Sequence, residues 1–243
     1  MTGADHNLDR ALAASTLQWW RDAGVDTLVD EEPVDWLAAP ARVPVTPATP
    51  ATTRPATVVP AAMPADLAGF LAWRMGPDAP EAGWPGPRIG PEGQATATIV
   101  VTDVPERDDL AAGRLLSGAA GMLFDRMLAA IGLDRAGIQL VPVATARPPA
   151  GRIGGADEAP LAQVLRHHLS LARPDRVLLL GDAASRAALG LNCVSARGSL
   201  HSVNHHGGQA RVIASFTPRY LLDRPKAKSD AWRDLRLLMG MVA

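Results

Sequence analysis

Regular alternation of apolar and polar positions begins near residue 96 and continues to the end of the chain. Short β-branched or aliphatic runs typical of buried strands lie at residues 98–101, 138–143, 177–180 and 210–216. Apolar residues recur at helical spacing between them, at residues 119–131, 160–171, 183–189 and 229–239. Strands that alternate with helices predict a parallel sheet covered on both faces. We therefore expect an α/β fold, a three-layer α/β/α sandwich with a central four-stranded parallel sheet.

Two of these predicted helices also carry start signals. Pro160 suits the first position of its helix, and Ser229 suits the capping position of the last one. A further short helix is predicted at residues 65–73, and the Gly- and Pro-rich stretch at 76–93 is typical of a loop.

The N-terminal part of the chain has a different organisation. Residues 8–23 have helical spacing and include Trp19 and Trp20, whereas residues 38–64 are dominated by Pro, Ala and Thr. Proline lacks the backbone donor that a helix or sheet needs, so this stretch predicts an extended linker. We therefore divide the chain into an N-terminal helical segment (1–37), a linker (38–64) and a main domain (65–243). The tryptophan helix either packs on its own domain or binds a partner protein.

Charge and cysteine content narrow the function classes. The chain has 24 basic and 25 acidic residues, so a strongly basic nucleic-acid binder is not visible in the total charge. Its single cysteine, Cys193, excludes a disulfide framework and a cysteine-ligated metal site built from this chain alone. We find no long apolar run and no apolar segment near the N-terminus, and we expect a soluble cytoplasmic protein without membrane contact.

The predicted topology indicates where function lies. Ligands of open parallel sheets bind beyond the C-terminal ends of the strands. Here those ends carry four segments, which we expect to meet at one cleft, namely residues 102–106, 142–149, 181–183 and 216–219.

At these segments the sequence resembles the uracil-DNA glycosylase superfamily, and within it the bacterial family-4 type. Residues 117–133 are similar to the family helix "VGxAGxLLDxMLAAIGL", and residues 147–152 to "RPPGNR". Residues 173–184 resemble "RPxxxxxLGxxAA", and residues 218–235 resemble "HPAYLLRxPxxKxxxWxDL". The order and spacing of these motifs agree over about 145 residues.

The resemblance implies cleavage of the N-glycosidic bond of uracil or another damaged base in single- or double-stranded DNA. The family loop "GEAPG", which activates water and shapes the base pocket, corresponds here to residues 102–106, with Asp103 at the glutamate position. A carboxylate there can orient water or stabilise a positively charged sugar. The positions matching the base pocket are Val104, Pro105, Leu116, Pro142 and Thr217.

Three of those positions depart from the family pattern. Leu116 replaces the aromatic residue that stacks on the base, and Pro142 replaces the asparagine that reads its edge. Thr217 replaces the histidine that stabilises charge on the base oxygen. The four iron–sulfur cysteines of the family are absent as well, so we expect no cofactor.

Several assignments have two interpretations. Asp103 either positions water or caps the turn or helix that follows its strand. Five basic residues either bind DNA phosphates or are solvated surface charges, namely Arg147, Arg152, Arg219, Arg224 and Lys226. The histidines at 201, 205 and 206 lie in a Gly-flanked polar stretch, and we interpret it as a loop with no metal site.

Two function classes follow from these assignments. The first is a DNA glycosylase in which Asp103 positions water and whose activity is weak or lost. The second is an inactive descendant of the fold that binds DNA or a replication or repair protein. A small-molecule nucleotide binder that uses the same cleft is a third class.

Overall fold

The structure is a computed structural model that describes residues 63–240. Its strands are β1 (Thr98–Thr102), β2 (Gln139–Pro142), β3 (Arg176–Leu180), β4 (His201–His205) and β5 (Gly208–Ser215). The helices are α1 (Leu67–Met75), α2 (Arg107–Ala112), α3 (Gly118–Ala130), α4 (Glu158–Ala172), α5 (Asp182–Leu189), α6 (Cys193–Ala196), α7 (Pro218–Asp223) and α8 (Lys228–Met239). The predicted N-terminal helix and most of the linker lie outside the described residues.

The strands form one sheet in the order β2–β1–β3–β5–β4, and all but β4 are parallel to their neighbours. Alternate side chains of each strand point to opposite faces, so Ile99 and Val101 belong to one core cluster and Val100 to the other. The first cluster includes Leu161 and Leu165 of α4 together with alanines of α5, and the second includes residues of α3 and α8. The predicted three-layer sandwich is thereby confirmed.

The strand count differs from the prediction, because a fifth strand, β4, pairs antiparallel with β5. The residues that we had interpreted as a polar loop with three histidines form this strand and its hairpin turn. Half-buried and exposed positions alternate in β4, and its sequence HSVNH has only one β-branched residue. An edge strand needs no apolar run, since only part of its surface is covered, and the hydrophobic pattern therefore did not reveal it.

The helix starts also differ in detail from the prediction. Helix α4 begins at Glu158, so Pro160 lies third in the helix rather than first. Helix α8 begins at Lys228, and Ser229 is inside it, with its hydroxyl donating to the Lys226 carbonyl at 3.2 Å. A 3-10 turn at Pro225–Ala227 leads directly into α8 and takes the place of a side-chain cap. The short helices α2, α6 and α7 were not predicted.

The connections that follow the neighbouring strands β1 and β3 pass to opposite faces of the sheet. The chain leaving β1 enters α2 and α3 on one face, whereas the chain leaving β3 enters α5 on the other. Two loops that diverge in this way leave a crevice at the C-terminal ends of their strands, the usual ligand position of open α/β sheets. The residues immediately after β1 and β3, Asp103 and Gly181, therefore meet at this crevice.

A buried ion pair attaches the segment before β1 to the C-terminal end of β2. Arg74 is fully buried and contacts Glu81 at 3.2 Å, and it donates to the carbonyls of Pro142 (3.2 Å) and Val143 (2.9 Å). Glu81 accepts the backbone N–H of Thr145 at 2.9 Å and its hydroxyl at 3.0 Å. Burial alone would raise the pKa of Glu81, but Arg74 and the Thr145 N–H outweigh it and lower that pKa. This clamp fixes the loop that follows β2.

The two edges of the sheet differ: the β2 edge is covered along part of its length, whereas the β4 edge carries polar residues. Glu92 forms an antiparallel bridge to Leu140 of β2, with backbone hydrogen bonds of 2.8 and 2.9 Å. The opposite edge is β4, whose sequence carries two histidines and an asparagine. Between residues 63 and 240 there is no helix with the length and hydropathy needed to cross a membrane.

The clamp predicts a large stability difference between two arginine substitutions. Arg74→Met should lower the free energy of unfolding by about 3–5 kcal/mol, because Glu81 keeps its buried charge without a partner. The matched control is Arg233→Met, which removes an exposed pair with Asp230 and should cost less than about 1 kcal/mol. Urea unfolding followed by circular dichroism measures both. Equal small losses would show that the buried pair does not hold the segment in place.

Candidate functional site

The four segments that were predicted to meet do so at the C-terminal edge of the sheet. Two neighbouring cavities, of about 530 Å³ and 450 Å³, share Asp103, Val104 and Gly151 in their walls. The larger cavity extends over the start of α5, with Asp182, Ala183 and Arg152 in its wall. The smaller one reaches the start of α7 and is also lined by Thr102, Glu106, Arg107, Arg147, Thr217 and Arg219. We call the two together the strand-end cleft.

Asp103 stands between these two cavities and is held by a helix from the other side of the sheet. Its Oδ1 accepts the backbone N–H of Ala184, in the first turn of α5, at 2.8 Å. The residue before that helix is Gly181, which has no side chain to cap it, so Asp103 supplies the missing acceptor from β1. Asp103 thus does cap a helix, although the helix is α5 and not the one that follows its own strand.

Gly181 is required by this arrangement. Its φ of +108° is a conformation that residues with a Cβ rarely adopt. A Cβ at this position would also collide with the Asp103 carboxylate and lie 2.7 Å from Cγ2 of Thr217. The carboxylate, the glycine and the threonine methyl group are therefore packed directly against one another in the cleft.

Burial changes the acid–base behaviour of Asp103. Removal from water raises the pKa of its carboxyl from 3.8 to about 6, although the N–H of Ala184 acts in the opposite direction. Such a carboxyl is mainly ionised at neutral pH and takes up a proton in mildly acidic solution. A group with a pKa near the working pH is well placed to exchange protons with a bound molecule.

Glu106 is a second carboxylate of the cleft and was not among the predicted site residues. It lines the 450 Å³ cavity together with Asp103, and its Oε2 lies 3.5 Å from Nε of Arg219. Burial raises the pKa of Glu106, while Arg219 opposes that rise. The sequence did carry a signal, because an acidic residue stands here where the resembling motif has glycine.

The five predicted DNA-binding residues fall into two groups. Arg147, Arg152 and Arg219 line the strand-end cleft; the first two come from the loop after β2 and the third from the start of α7. Arg147 also spans the cleft, with Nη1 donating to the carbonyl of Pro105 at 3.2 Å. Arg224 and Lys226 line a separate cavity of about 460 Å³ beside Phe216 and Tyr220. The structure thus separates residues that the sequence grouped together.

The predicted base-pocket residues are only partly brought together. Val104 and Thr217 line the cleft, and Pro105 is buried in the loop that follows β1. The Thr217 hydroxyl accepts the N–H of Tyr220 at 3.2 Å as the cap of α7, while its methyl group faces Gly181. Pro142 is buried at the end of β2, and its carbonyl is engaged by Arg74. Pro142 lines neither cavity of the cleft.

Leu116 lies in the core, not in the cleft. It is 4% exposed and packs in the cluster that contains Phe124 and Leu128 of α3. Its φ of +49° is unusual for leucine, and Arg135 holds the turn by donating to the carbonyls of Leu115 (3.0 Å) and Leu116 (2.6 Å). The position is therefore fixed by packing and hydrogen bonds, and the leucine lines neither cavity of the cleft.

The histidines of β4 are engaged in the fold. His201 contacts the Ala196 carbonyl at 2.7 Å, and His205 contacts the Pro174 carbonyl at 3.0 Å. Across residues 63–240, no group of three or more His, Cys, Asp or Glu side chains is arranged to hold a metal ion.

The donor set also does not fit an iron–sulfur cluster, which takes four thiolates, because the chain has one cysteine. That cysteine, Cys193, is buried, and its thiol donates to the Ser215 carbonyl at 3.2 Å. Burial raises its pKa to about 11, so the thiolate that a metal requires is disfavoured at neutral pH.

Comparison with known proteins agrees with this geometry. The family model of the Uracil DNA glycosylase superfamily matches residues 87–236, a span that contains the whole strand-end cleft. A type-4 uracil-DNA glycosylase of Archaeoglobus fulgidus is 30% identical over 152 residues, which cover 59% of this chain and 76% of that protein.

The buried carboxyl predicts a pH-dependent stability difference in Asp103→Asn. Because folding raises the pKa of Asp103 to about 6, the folded protein binds more protons than the unfolded one between about pH 4 and 6. Its stability therefore falls as the pH rises through this window, by up to about 3 kcal/mol. Asparagine can still accept the Ala184 N–H but carries no charge, so the variant should gain stability relative to the wild type as the pH rises.

Urea unfolding of both proteins at about pH 5 and about pH 8 measures this difference. The variant should be the more stable protein at the higher pH, by about 1–3 kcal/mol, with a smaller difference at the lower pH. If Asp103→Asn is instead less stable than the wild type by the same amount at both pH values, the carboxylate acts only as the cap of α5.

Proposed function

Because this chain belongs to the uracil-DNA glycosylase superfamily, we propose that it is a DNA repair protein that hydrolyses the N-glycosidic bond of uracil or another damaged base. The observation that carries the proposal is the partly buried carboxylate of Asp103 at the strand-end cleft, which Arg147, Arg152 and Arg219 also line. Its substrate is DNA, single- or double-stranded, with the damaged nucleotide turned out of the helix and into the cleft.

At the sugar, the reaction requires a positioned carboxylate and a water molecule. The bond from C1′ of the sugar to the base nitrogen breaks, and the base leaves with the bonding electrons. The oxygen of water bonds to C1′, and the proton that this water loses is balanced by the proton that the departing base takes up from solvent. With Oδ1 fixed by Ala184, the carboxylate of Asp103 accepts a hydrogen bond from that water and stabilises positive charge on the sugar. This role needs the ionised form, so activity should rise as the pH passes through about 6.

DNA binding is supported by the arginines of the cleft. Arg152 is exposed and lies in the loop after β2, and the Arg219 side chain is 52% exposed and lies in the first turn of α7. A guanidinium group donates two parallel hydrogen bonds to a phosphate, which suits both side chains to backbone contacts on either side of the displaced nucleotide.

A second candidate function is a glycosylase-fold module that binds DNA or a replication or repair protein without cleaving a base. It is favoured by the positions that face the leaving base in the resembling family. Thr217 uses its hydroxyl to cap α7, Pro142 presents no side-chain donor, and Leu116 is in the core. Loss of one donor to a developing oxyanion typically costs about 2.7–4 kcal/mol of barrier, or about 100- to 1000-fold in rate. Any base excision should therefore be slow.

A strand-cleavage assay separates the two functions. Oligonucleotides that carry uracil, hypoxanthine or xanthine, single-stranded and paired, are incubated with the protein and then treated with alkali to cut abasic sites. An active glycosylase gives product that disappears in Asp103→Asn and persists in Asp134→Asn, an exposed aspartate outside the cleft. DNA binding without product, at protein in excess over DNA, would overturn the enzymatic proposal and support the binding module.

The contact between Glu106 and Arg219 predicts competition with DNA. A phosphate that binds Arg219 must displace the Glu106 carboxylate, so Glu106→Gln should tighten binding of single-stranded DNA by about twofold to fivefold. Asp108→Asn removes the same charge from the first turn of α2 and controls for net charge alone. Fluorescence anisotropy at about 50 mM and 200 mM salt measures the affinities.

The same titration in an Arg219→Ala background tests whether the pair is the cause. There the effect of Glu106→Gln should fall to that of Asp108→Asn, because the carboxylate no longer competes for a guanidinium. A gain of equal size in both backgrounds would show that Glu106 acts through the general field of the cleft.

A further inference from the structure

A layered stack of aromatic and cationic side chains stands beside the strand-end cleft and is used by neither proposed function. The rings of Phe216 and Tyr220 are stacked, with centroids 4.7 Å apart and an angle of 26° between their planes. The guanidinium of Arg197 lies 4.6 Å from the Phe216 centroid, and that of Arg224 lies 6.0 Å from the Tyr220 centroid. We call Phe216, Tyr220, Arg224 and Lys226 the aromatic shelf.

The shelf is built outward from a buried anchor. Asp234 is fully buried and accepts hydrogen bonds from Arg197 (3.1 and 3.3 Å), from the Ser215 hydroxyl (2.8 Å) and from the Gly198 N–H (3.1 Å). Arg197 is thereby held where it contacts the Phe216 ring. The Phe216 ring therefore contacts both Arg197 and Tyr220 before any ligand arrives, which reduces the side-chain entropy that binding costs.

The outer layer of the stack is exposed and flanked by positive charge. Tyr220, the single tyrosine of the chain, is 41% exposed at the first turn of α7. Arg224 and Lys226 line the adjoining cavity of about 460 Å³ with it. Asp223 and Asp230 also line this cavity; the Asp223 side chain is exposed, and the Asp230 carboxylate is paired with Arg233 at 2.9 Å. An aromatic face beside two exposed cations suits a planar group that is linked to phosphates.

The position of the shelf connects it to the cleft. Thr217 and Arg219 line the cleft cavity, whereas Phe216 and Tyr220 line the adjoining one, so consecutive residues at the start of α7 face two different cavities. A DNA strand whose phosphate is bound by Arg219 therefore continues directly past the Tyr220 ring.

We infer that the aromatic shelf is a second nucleotide site, which stacks an unpaired base close to the nucleotide in the cleft and holds the adjoining phosphates with Arg224 and Lys226. The inference rests on the proposed DNA binding and refines it. The preferred ligand is DNA that is single-stranded beside the damaged nucleotide, because a base that stacks on Tyr220 cannot remain paired. The leucine at position 116 offers no aromatic face in the cleft, which makes this shelf the stacking surface available to the strand.

The test uses single-stranded oligonucleotides in which 2-aminopurine, a base whose fluorescence is quenched by stacking, replaces each position around a central uracil in turn. The wild-type protein should quench the probe at one or two adjacent positions. Tyr220→Leu keeps apolar cover over Phe216 but removes the π face, so it should abolish this quenching and weaken single-strand binding about tenfold. Tyr220→Phe should retain both properties.

Trp232→Ala is the control, because Trp232 is similarly exposed, at 40%, and lies beside Leu123 and Met127 of α3. It should leave the quenching unchanged. Unfolding curves identify any variant that fails to fold. If Tyr220→Leu does not fold, position-specific quenching by both the wild type and Tyr220→Phe supports the shelf, and its absence from either refutes it. The shelf is refuted if the wild type binds DNA without position-specific quenching, or if Tyr220→Leu binds and quenches like the wild type. Failure of every variant to bind DNA would refute the shelf together with the proposed DNA binding.

Discussion

The hydrogen bond between the Asp103 carboxylate and the Ala184 N–H joins the two halves of the sheet at the point where their connections diverge. Without an acceptor from β1, the first turn of α5 would begin at a glycine and leave its backbone donors to water. The bond also requires that Gly181 remain a glycine, and it withdraws a carboxyl from water. The acid–base properties of the cleft and the position of its larger cavity follow from this one contact.

Three of the predicted base-pocket residues have other roles in the fold. The Thr217 hydroxyl caps α7, the Pro142 carbonyl is part of the Arg74 clamp, and the Leu116 side chain fills the core. The Thr217 hydroxyl and the Pro142 carbonyl thus both have hydrogen-bond partners within the fold. A histidine placed back at position 217 would therefore have to replace a helix cap as well as reach a ligand.

The sequence was informative where burial dictated the residue type. Strands β1 and β3 are aliphatic runs buried on both faces, and their positions and the layer order were predicted within one or two residues. Strand β4 was not predicted, because an edge strand tolerates polar residues. The role of Asp103 as the cap of α5 was not predicted, because Ala184 lies 81 residues away in the chain. The contact of Glu106 with Arg219 and the stack on Phe216 likewise join separate segments, and no local spacing encodes such contacts.

The two edges of the sheet affect how readily the molecule associates with other chains. Open edge strands are templates for pairing between chains, and a flat, apolar edge invites the growth of fibrils. Here the bridge at Glu92 occupies part of the β2 edge, and β4 offers an incoming strand polar, partly exposed side chains. Strand β4, the first strand of the hairpin, lines neither cavity of the cleft and thus limits self-association of a domain whose central strands are strongly hydrophobic.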